Sequence, residues 1–345
     1  MEFDVFVQGT VFSDLVLTGL PTLPTRGTEV YAEGMGSSPG GIANLAIAAS
    51  RLGLRTSLSA AFGDDVYGEF LWRTLSEQEG VDLSRSHRFA DWHSPVTVSL
   101  AVQRDRSMVT HSHPSPATAN DMIGDPPQAR VGLANLSEAT EPWAVKARAN
   151  GMQLFGDVGW DPSQQWSPDL LDNLRFFRAF MPNSTEAMAY TRTEDPRAAL
   201  LRLADDVPVV VVTCGGQGSI AIDSITGEDE WVPSLPVNEV DATGAGDVFA
   251  AAFILGTLRE WPLRHRLAFA NLCAALSVQQ VGGSLAAPGW GDLADWLATT
   301  QQRAGTSRAA AVFAHSYEFL ADVLPEGPVR AVRRASATIA RTSDA

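Results

Sequence analysis

The sequence predicts an α/β fold: a doubly wound, mostly parallel sheet flanked by helices, with a small separate β-sheet as a lid. Three observations carry this. "VPVVVVTCGG" (207–216) is a nearly continuous apolar run, the mark of a strand buried on both faces of a parallel sheet. From about residue 151, strand and helix patterns alternate as wound βα units require. Two strand-rich stretches, about 10–37 and 94–112, break that alternation and belong to a second sheet.

The elements follow in order. "FDVFVQGT" (3–10) reads as a first buried strand, and "LVLTGLPTLPTRGTEVYAEGMGSS" (15–38) as short strands and turns punctuated by Pro and Gly. "GGIANLAIAASRLG" (40–53) is a small-residue helix closed by Gly53. "TSLSAAFG" (56–63) is a strand, and "DVYGEFLWRTLSEQEG" (65–80) a helix. Residues 94–112 form a hairpin with Asp105 near its turn, and "EPWAVKARANG" (141–151) a surface helix. Then come a strand in "GMQLFGDVG" (151–159), a helix in "SPDLLDNLRFF" (167–177) and a short strand in "AFMPN" (179–183). Helices over "STEAMAYT" (184–191) and "DPRAALLRLAD" (195–205) precede the apolar strand. "GSIAID" (218–223) and "DEWVPSLPV" (229–237) return as strands, followed by helices from Asp247 and Leu263. Beyond Arg303 the chain is rich in Ala and Arg, with one helix expected over 309–324 and a loose tail.

Composition narrows the function. The chain has 345 residues, 45% hydrophobic and 19% charged, the balance of a globular protein with a sizeable core. A net charge of −15 argues against nucleic acid, whose phosphates are held by clustered Lys and Arg. A small phosphorylated ligand must then be held locally, by backbone N–H groups or a bound cation. Two cysteines, Cys214 and Cys273, make neither a disulfide framework nor a metal cluster. The N-terminus starts directly as a strand, without a basic signal region, and no apolar run is long enough to span a bilayer. A cytoplasmic location without membrane attachment is expected. Lys146 is the only lysine and stands in the helix "EPWAVKARANG", which argues against both P-loop and Schiff-base chemistry. "VFVQGTVFSD" (5–14) lacks the G-x-G-x-x-G of a nicotinamide-dependent dehydrogenase.

"VDATGAGDVFAAAF" (240–253) is the stretch that asks for chemistry. Glycines before a helix let a ligand approach unpaired N–H groups at the positive end of the helix dipole. Asp247 is out of place in an anion hole unless it takes a proton from an attacking hydroxyl. Taken alone it is more often a solvated aspartate near a helix start.

Other segments alter that balance. "DATGAGD" (241–247), "SPGGIANLAIAASRLG" (38–53), "FGDDVYG" (62–68), "MPNSTEA" (181–187) and "VTCGGQGS" (212–219) resemble, in order and spacing, the motifs of the ribokinase-like family, the PfkB carbohydrate kinases. The resemblance runs from about residue 3 to 298. It implies a ribokinase-like domain over 1–302, with the lid strands inserted in it and 303–345 as a helical extension.

It also implies roles. Asp247 would be the catalytic base, with the amides around Gly244, Ala245 and Gly246 stabilising the transferred phosphoryl group. Asp14, Gly40, Gly41 and Asn44 would bind the sugar. Asn183 and Glu186 would position Mg²⁺ with the nucleotide phosphates; taken alone they are an N-cap and a first-turn acid. Thr213, Gly215, Gly218 and Asn271 would line the ATP site; a polar helix-surface residue is the alternative for Asn271. Asp241 and Thr243 fall at a monovalent-cation site, but its later hydroxyl position aligns with Ala286, with Ser284 close by, which speaks against K⁺ dependence. "GDVGWDPSQQW" (156–166) keeps Asp157 but has Gly159 and Asp161 where relatives specific for fructose or ketodeoxygluconate carry Asn and Arg. Trp160 and Trp166 could stack on a sugar, although packing is their commoner use. His111 and His113 form an H-x-H pair without a third ligand visible by spacing.

The activity implied is ATP-dependent phosphorylation of a primary hydroxyl on a sugar or sugar derivative. A nucleoside kinase of the same fold and a non-catalytic sugar- or nucleotide-binding regulator are the alternatives. An exposed lid edge offers a surface for a homodimer.

Overall fold

The computed structural model describes all residues except 103–104, 137–140, 160–163, 328, 330–331, 333 and 336–345. Its eight-stranded sheet has the order β14-β13-β12-β11-β10-β9-β1-β4. The chain enters it at β1 (Phe3–Gln8) and leaves at once for the lid through β2 (Val11–Thr18) and β3 (Gly34–Gly41). It comes back through α1 (Ala43–Arg51), β4 (Thr56–Ser59), β5 (Ala61–Gly63) and α2 (Val66–Arg73), which runs into a π-helical turn over Thr74–Gln78. β6 (His87–Phe89) pairs with β5, and the lid is completed by β7 (Val96–Val102) and β8 (Asp105–His111). The turn of that hairpin lies outside the described residues. α3 (Ala119–Ile123), β9 (Ala129–Asn135), α4 (Pro142–Ala149) and β10 (Gln153–Asp157) rebuild the βα alternation. A 3₁₀ helix over Pro168–Phe176, then β11 (Ala179–Phe180), α5 (Ser184–Thr191), α6 (Pro196–Leu203) and β12 (Val209–Thr213) continue it. β13 (Ser219–Asp223) and β14 (Glu228–Val232) close the sheet antiparallel to their neighbours. α7 (Ala245–Leu258), α8 (Leu263–Ser277), α9 (Gly283–Ala286), α10 (Trp290–Ala304), α11 (Arg308–His315) and α12 (Leu320–Val323) complete the chain.

The apolar run of β12 is buried on both sides because each face of the sheet carries its own core. Val209 and Val211 pack into one with Val5 and Val7, while Val210 and Val212 pack into the other with Phe6. Side chains alternate across a strand, so a strand roofed on both faces must be apolar throughout. α7 is buried along almost its whole length after the first turn, from Val248 to Gly256. That helix is a buttress, and only its N-terminus opens toward a ligand.

The lid has the order β3-β2-β7-β8, with β2 and β7 parallel in its centre. Four expectations are adjusted. Gly40 and Gly41 end strand β3 rather than begin a helix; Gly41 has φ +63°, and α1 starts after Ile42. The loop 19–33 carries no strand. The segment 129–135, not foreseen as a strand, is β9, an interior strand between β10 and β1. The single helix expected over 309–324 is two helices. Residues two apart point to opposite sides of a helix, and the break lets Tyr317 and Phe319 both pack toward the core. Among the described residues no helix is long and apolar enough to cross a membrane.

Candidate active site

Ligands of wound α/β sheets sit beyond the C-terminal ends of the parallel strands. Here those ends deliver Asp157 (β10), Asn183 (just after β11) and Thr213 (β12) to one cleft. A cavity of about 660 Å³ is lined by Asn183, Thr213, Gly215, Gly218, Ala245, Gly246 and Asn271, together with Phe249, Ala275 and Val278. Seven residues chosen from separate sequence motifs thus share one wall. Gly218 has φ +97°, and a Cβ there would meet the Val232 carbonyl at 2.1 Å, so the turn after β12 requires glycine.

The N-terminus of α7 forms the floor. Gly244 is its N-cap at φ +73°, and a Cβ would lie 2.9 Å from the Asn44 side chain. A Cβ on Gly246 would meet nothing within 4 Å, because that face is open cleft. First-turn amides have no intrahelical acceptor, which leaves Gly246 and Asp247 as the donors best placed for an anion. The Ala245 amide instead reaches the Ala242 carbonyl at 3.3 Å.

Asp247, in the first turn, is largely enclosed by protein. That burial pushes its carboxyl up to about 6, against a hydrogen bond donated by Asn44 Nδ2 at 3.0 Å, which favours the charged form. Asn44 is buried in α1, and its Oδ1 has no partner. Asp157 is pushed further, up to about 8, first by burial and then by the charge of Asp247 and, more weakly, Glu186. Asp247 ionises first and its charge resists ionisation of Asp157. Asp157 therefore belongs to the site; the motif "GDVG" marked it in the sequence, but no role was attached to it.

Toward the lid, Asp14 is buried on β2. Its Oδ2 would stand 1.9 Å from a Cβ on Gly40, so glycine there is what makes room for the carboxylate. On Gly41 a Cβ would meet the Thr10 carbonyl at 2.4 Å. The Gly-Gly step thus lets the lid strand turn into α1 and carry Asn44 to Asp247.

The sequence profile of the family described as "pfkB family carbohydrate kinase" matches residues 5–289. The chain belongs to this family. PfkB carbohydrate kinases are phosphotransferases that act on a sugar hydroxyl, and this member has their ribokinase fold. It is 24% identical over 304 residues to a ribokinase of Schizosaccharomyces pombe, covering 83% of this chain and 95% of that one. It is 28% identical over 277 residues to a fructokinase of Escherichia coli, covering 72% and 89%. The solved structure of Arabidopsis thaliana ribokinase complexed with ribose and ATP superposes with a TM-score of 0.68 at 23% identity, covering 84% of this chain and 96% of that chain.

Several residues of this PfkB kinase have structural duties as well. Asn183 and Glu186 form a capping box on α5, each side chain accepting the other's backbone N–H at 3.0 Å. Burial raises the Glu186 carboxyl, while the Asn183 hydrogen bonds pull it back. Asn271 is buried in α8, not on a helix surface, and donates to the Val232 carbonyl at 3.0 Å. It lines the cleft while holding the end of β14. Asp241 accepts from the Thr243 and Gly282 amides at 2.9 and 3.1 Å, tying the glycine turn to the loop before α9. The Thr243 hydroxyl is buried without a partner. Ser284 donates to the Pro39 carbonyl of the lid strand, and so is committed elsewhere.

Trp166 is buried edge-on against Tyr190, a packing role, and Trp160 and Asp161 lie outside the described residues. The H-x-H pair does have a third partner: His93, from the segment before β7, meets His111 and His113. Seventeen residues of chain separate His93 from His111, which hid the grouping from any local motif.

Proposed function

We propose that the protein transfers the γ-phosphoryl group of ATP to a primary hydroxyl of a sugar or sugar derivative, with Asp247 as base. The carrying observation is the Asn44–Asp247 hydrogen bond, which joins the sugar-side Gly-Gly segment to the first turn of α7. In this reading Asp14, Gly40, Gly41 and Asn44 hold the sugar. Asn183, Thr213, Gly215, Gly218 and Asn271 hold the nucleotide in the adjoining cleft. Asp247 takes the hydroxyl proton, the oxygen attacks the γ-phosphorus, and the bond to the β-phosphate oxygen breaks, releasing ADP. A carboxyl raised to about 6 suits this role, since it is ionised at neutral pH yet more basic than an ordinary aspartate. The amides around Gly244–Gly246 stabilise charge on the phosphoryl oxygens.

Asp157 feels the charge of both Asp247 and Glu186, and carboxylates are the hard oxygen donors that Mg²⁺ prefers. When bound with the nucleotide, Mg²⁺ would supply neutralising charge on the β- and γ-phosphates. Glu186, with Asn183, would hold it through water. Asp241 and Thr243 would organise the glycine turn, with a monovalent cation there a lesser element. In this reading the catalytic unit is residues 1–302 and the remainder is an extension, of which α11 packs on α10. The exposed edge strand β8 is where a homodimer would form.

The test is direct. Asp247→Asn should lower turnover by orders of magnitude while leaving ATP and sugar binding nearly intact; unchanged turnover removes Asp247 as the base. An ADP-release screen over sugars and nucleosides identifies the acceptor, and a response to nucleosides alone would overturn the sugar reading.

A further inference from the structure

His93, His111 and His113 flank the β7–β8 hairpin of the lid and are none of the residues assigned above to sugar or nucleotide. Among the described residues they are the one group of three or more His, Cys, Asp or Glu side chains close enough to share an ion. One ring nitrogen from each lies within 4.8 Å of the others. The rings of His93 and His111 are nearly parallel at 4.9 Å, and His113 stands edge-on to both, at 4.6 and 5.1 Å. From these we infer that the three histidines form a binding site for a divalent transition-metal ion of the zinc class.

The donor set decides the class. Imidazole nitrogens suit zinc and its neighbours, whereas Mg²⁺ and Ca²⁺ require oxygen. A tetrahedral ion with bonds of ~2.1 Å holds its nitrogens ~3.4 Å apart. Closing from 4.8 Å needs side-chain rotation only, and His111 and His113 are both exposed and free to make it. His93 is the fixed member. Its Nδ1 lies 3.2 Å from the Ser94 carbonyl, which can only accept, so Nδ1 carries the proton and Nε2 keeps the lone pair. Such a hydrogen bond on the far nitrogen orients a metal-binding histidine. The segment is anchored in turn: the Ser94 amide donates to Asp65 at 2.7 Å, and Trp92 Nε1 donates to the Pro114 carbonyl at 3.0 Å.

The position gives the ion a role. His93 is on the segment entering the lid, and His111 and His113 are on the segment leaving it. His111 pairs with Val96 and Val96 with Ser13, a row that faces away from Asp14 and Thr97 on the next row. A bound ion therefore clamps the segments that enter and leave the β7–β8 hairpin, on the row opposite to Asp14. Three protein ligands leave a fourth position for water or another donor.

Tag-free full-length protein, stripped with a chelator, should take up one Zn²⁺ per chain in competition with a chromophoric chelator. His93→Ala, His111→Ala and His113→Ala should each weaken uptake at least tenfold, since even outer partners of metal-binding residues cost about 10–100-fold. His315→Ala, whose ring pairs with Glu318 elsewhere, should change nothing. Melting curves check that the variants fold. Uptake is measured without ATP or sugar, so the result is independent of the kinase reading. No stoichiometric uptake by the parent, or uptake that survives His111→Ala with His113→Ala, overturns the proposal.

Discussion

Replacing Asn44 with alanine isolates the link between the two halves of the site. Asn44 Nδ2 donates to Asp247 at 3.0 Å, and this bond favours the carboxylate over the protonated acid. A hydrogen bond to a charged group contributes about 1.5–3 kcal/mol. At 1.36 kcal/mol per pKa unit, its loss raises Asp247 by about one to two units. A base must be deprotonated to act, so the acid limb of kcat/KM, near pH 6 in the parent, should move to about 7–8 in Asn44→Ala. Above that limb the variant should recover most of the parent's kcat, while KM for the sugar stays raised because Asn44 is also proposed to hold the acceptor. The assay is an ADP-release pH profile at saturating ATP with sugar varied at each pH. An acid limb that stays at the parental position would mean that the hydrogen bond does not set the charge of Asp247, and the reasoning fails.

Two more perturbations follow from the same geometry. Asp157 has a carboxyl raised from the ordinary 3.8 to about 8, so the ligand-free folded state holds its proton more tightly than the unfolded chain does. Stability from this group is then full below about pH 4 and declines as pH rises toward 8. Asp157→Asn should melt above the parent at pH 8 and level with it near pH 4; an equal offset at both values would show that titration is not the cause. Gly40→Ala places a Cβ where Asp14 Oδ2 now stands, 1.9 Å away, and should raise KM for the sugar at least tenfold with KM for ATP unchanged. An unaltered sugar KM would remove Asp14 from the acceptor site.

Which features were legible in the sequence follows from how local their causes are. Glycine turns announce themselves because a positive φ or a close approach excludes every other residue, as at Gly41, Gly218 and Gly244. The buried strand β12 was legible because both its faces meet apolar cores. β9 was not, since Gly132 interrupts its pattern; a Cβ there would meet Met152 Sδ at 2.5 Å, a demand made by the neighbouring strand. The double duty of Asn183 and Glu186 was half legible. The Asn-x-x-Glu spacing is a capping box whatever else it does, and only the third dimension shows Glu186 acting on Asp157. His93 joined His111 and His113 through the fold of the lid, which no spacing rule encodes.

The same carboxylates determine how an acidic protein can hold ATP. Glu186 and Asp247 both press their charge on Asp157, beside a cleft lined by the first-turn residues Ala245 and Gly246 of α7. Metal-free ATP brings further negative charge to that place, and the amides of one helix turn do not offset it. Nucleotide binding measured in a chelator should therefore be weak and should strengthen on adding Mg²⁺. Glu186→Gln removes one negative charge but keeps an oxygen that can accept the Asn183 N–H of the capping box. This variant should bind metal-free ATP more tightly than the parent does, while gaining less from added Mg²⁺. A carboxylate that served only as a cap would give neither change, because the glutamine preserves the cap. The two titrations, with and without the cation, thus separate a helix-capping residue from one that meets the nucleotide's cation, even though one side chain does both.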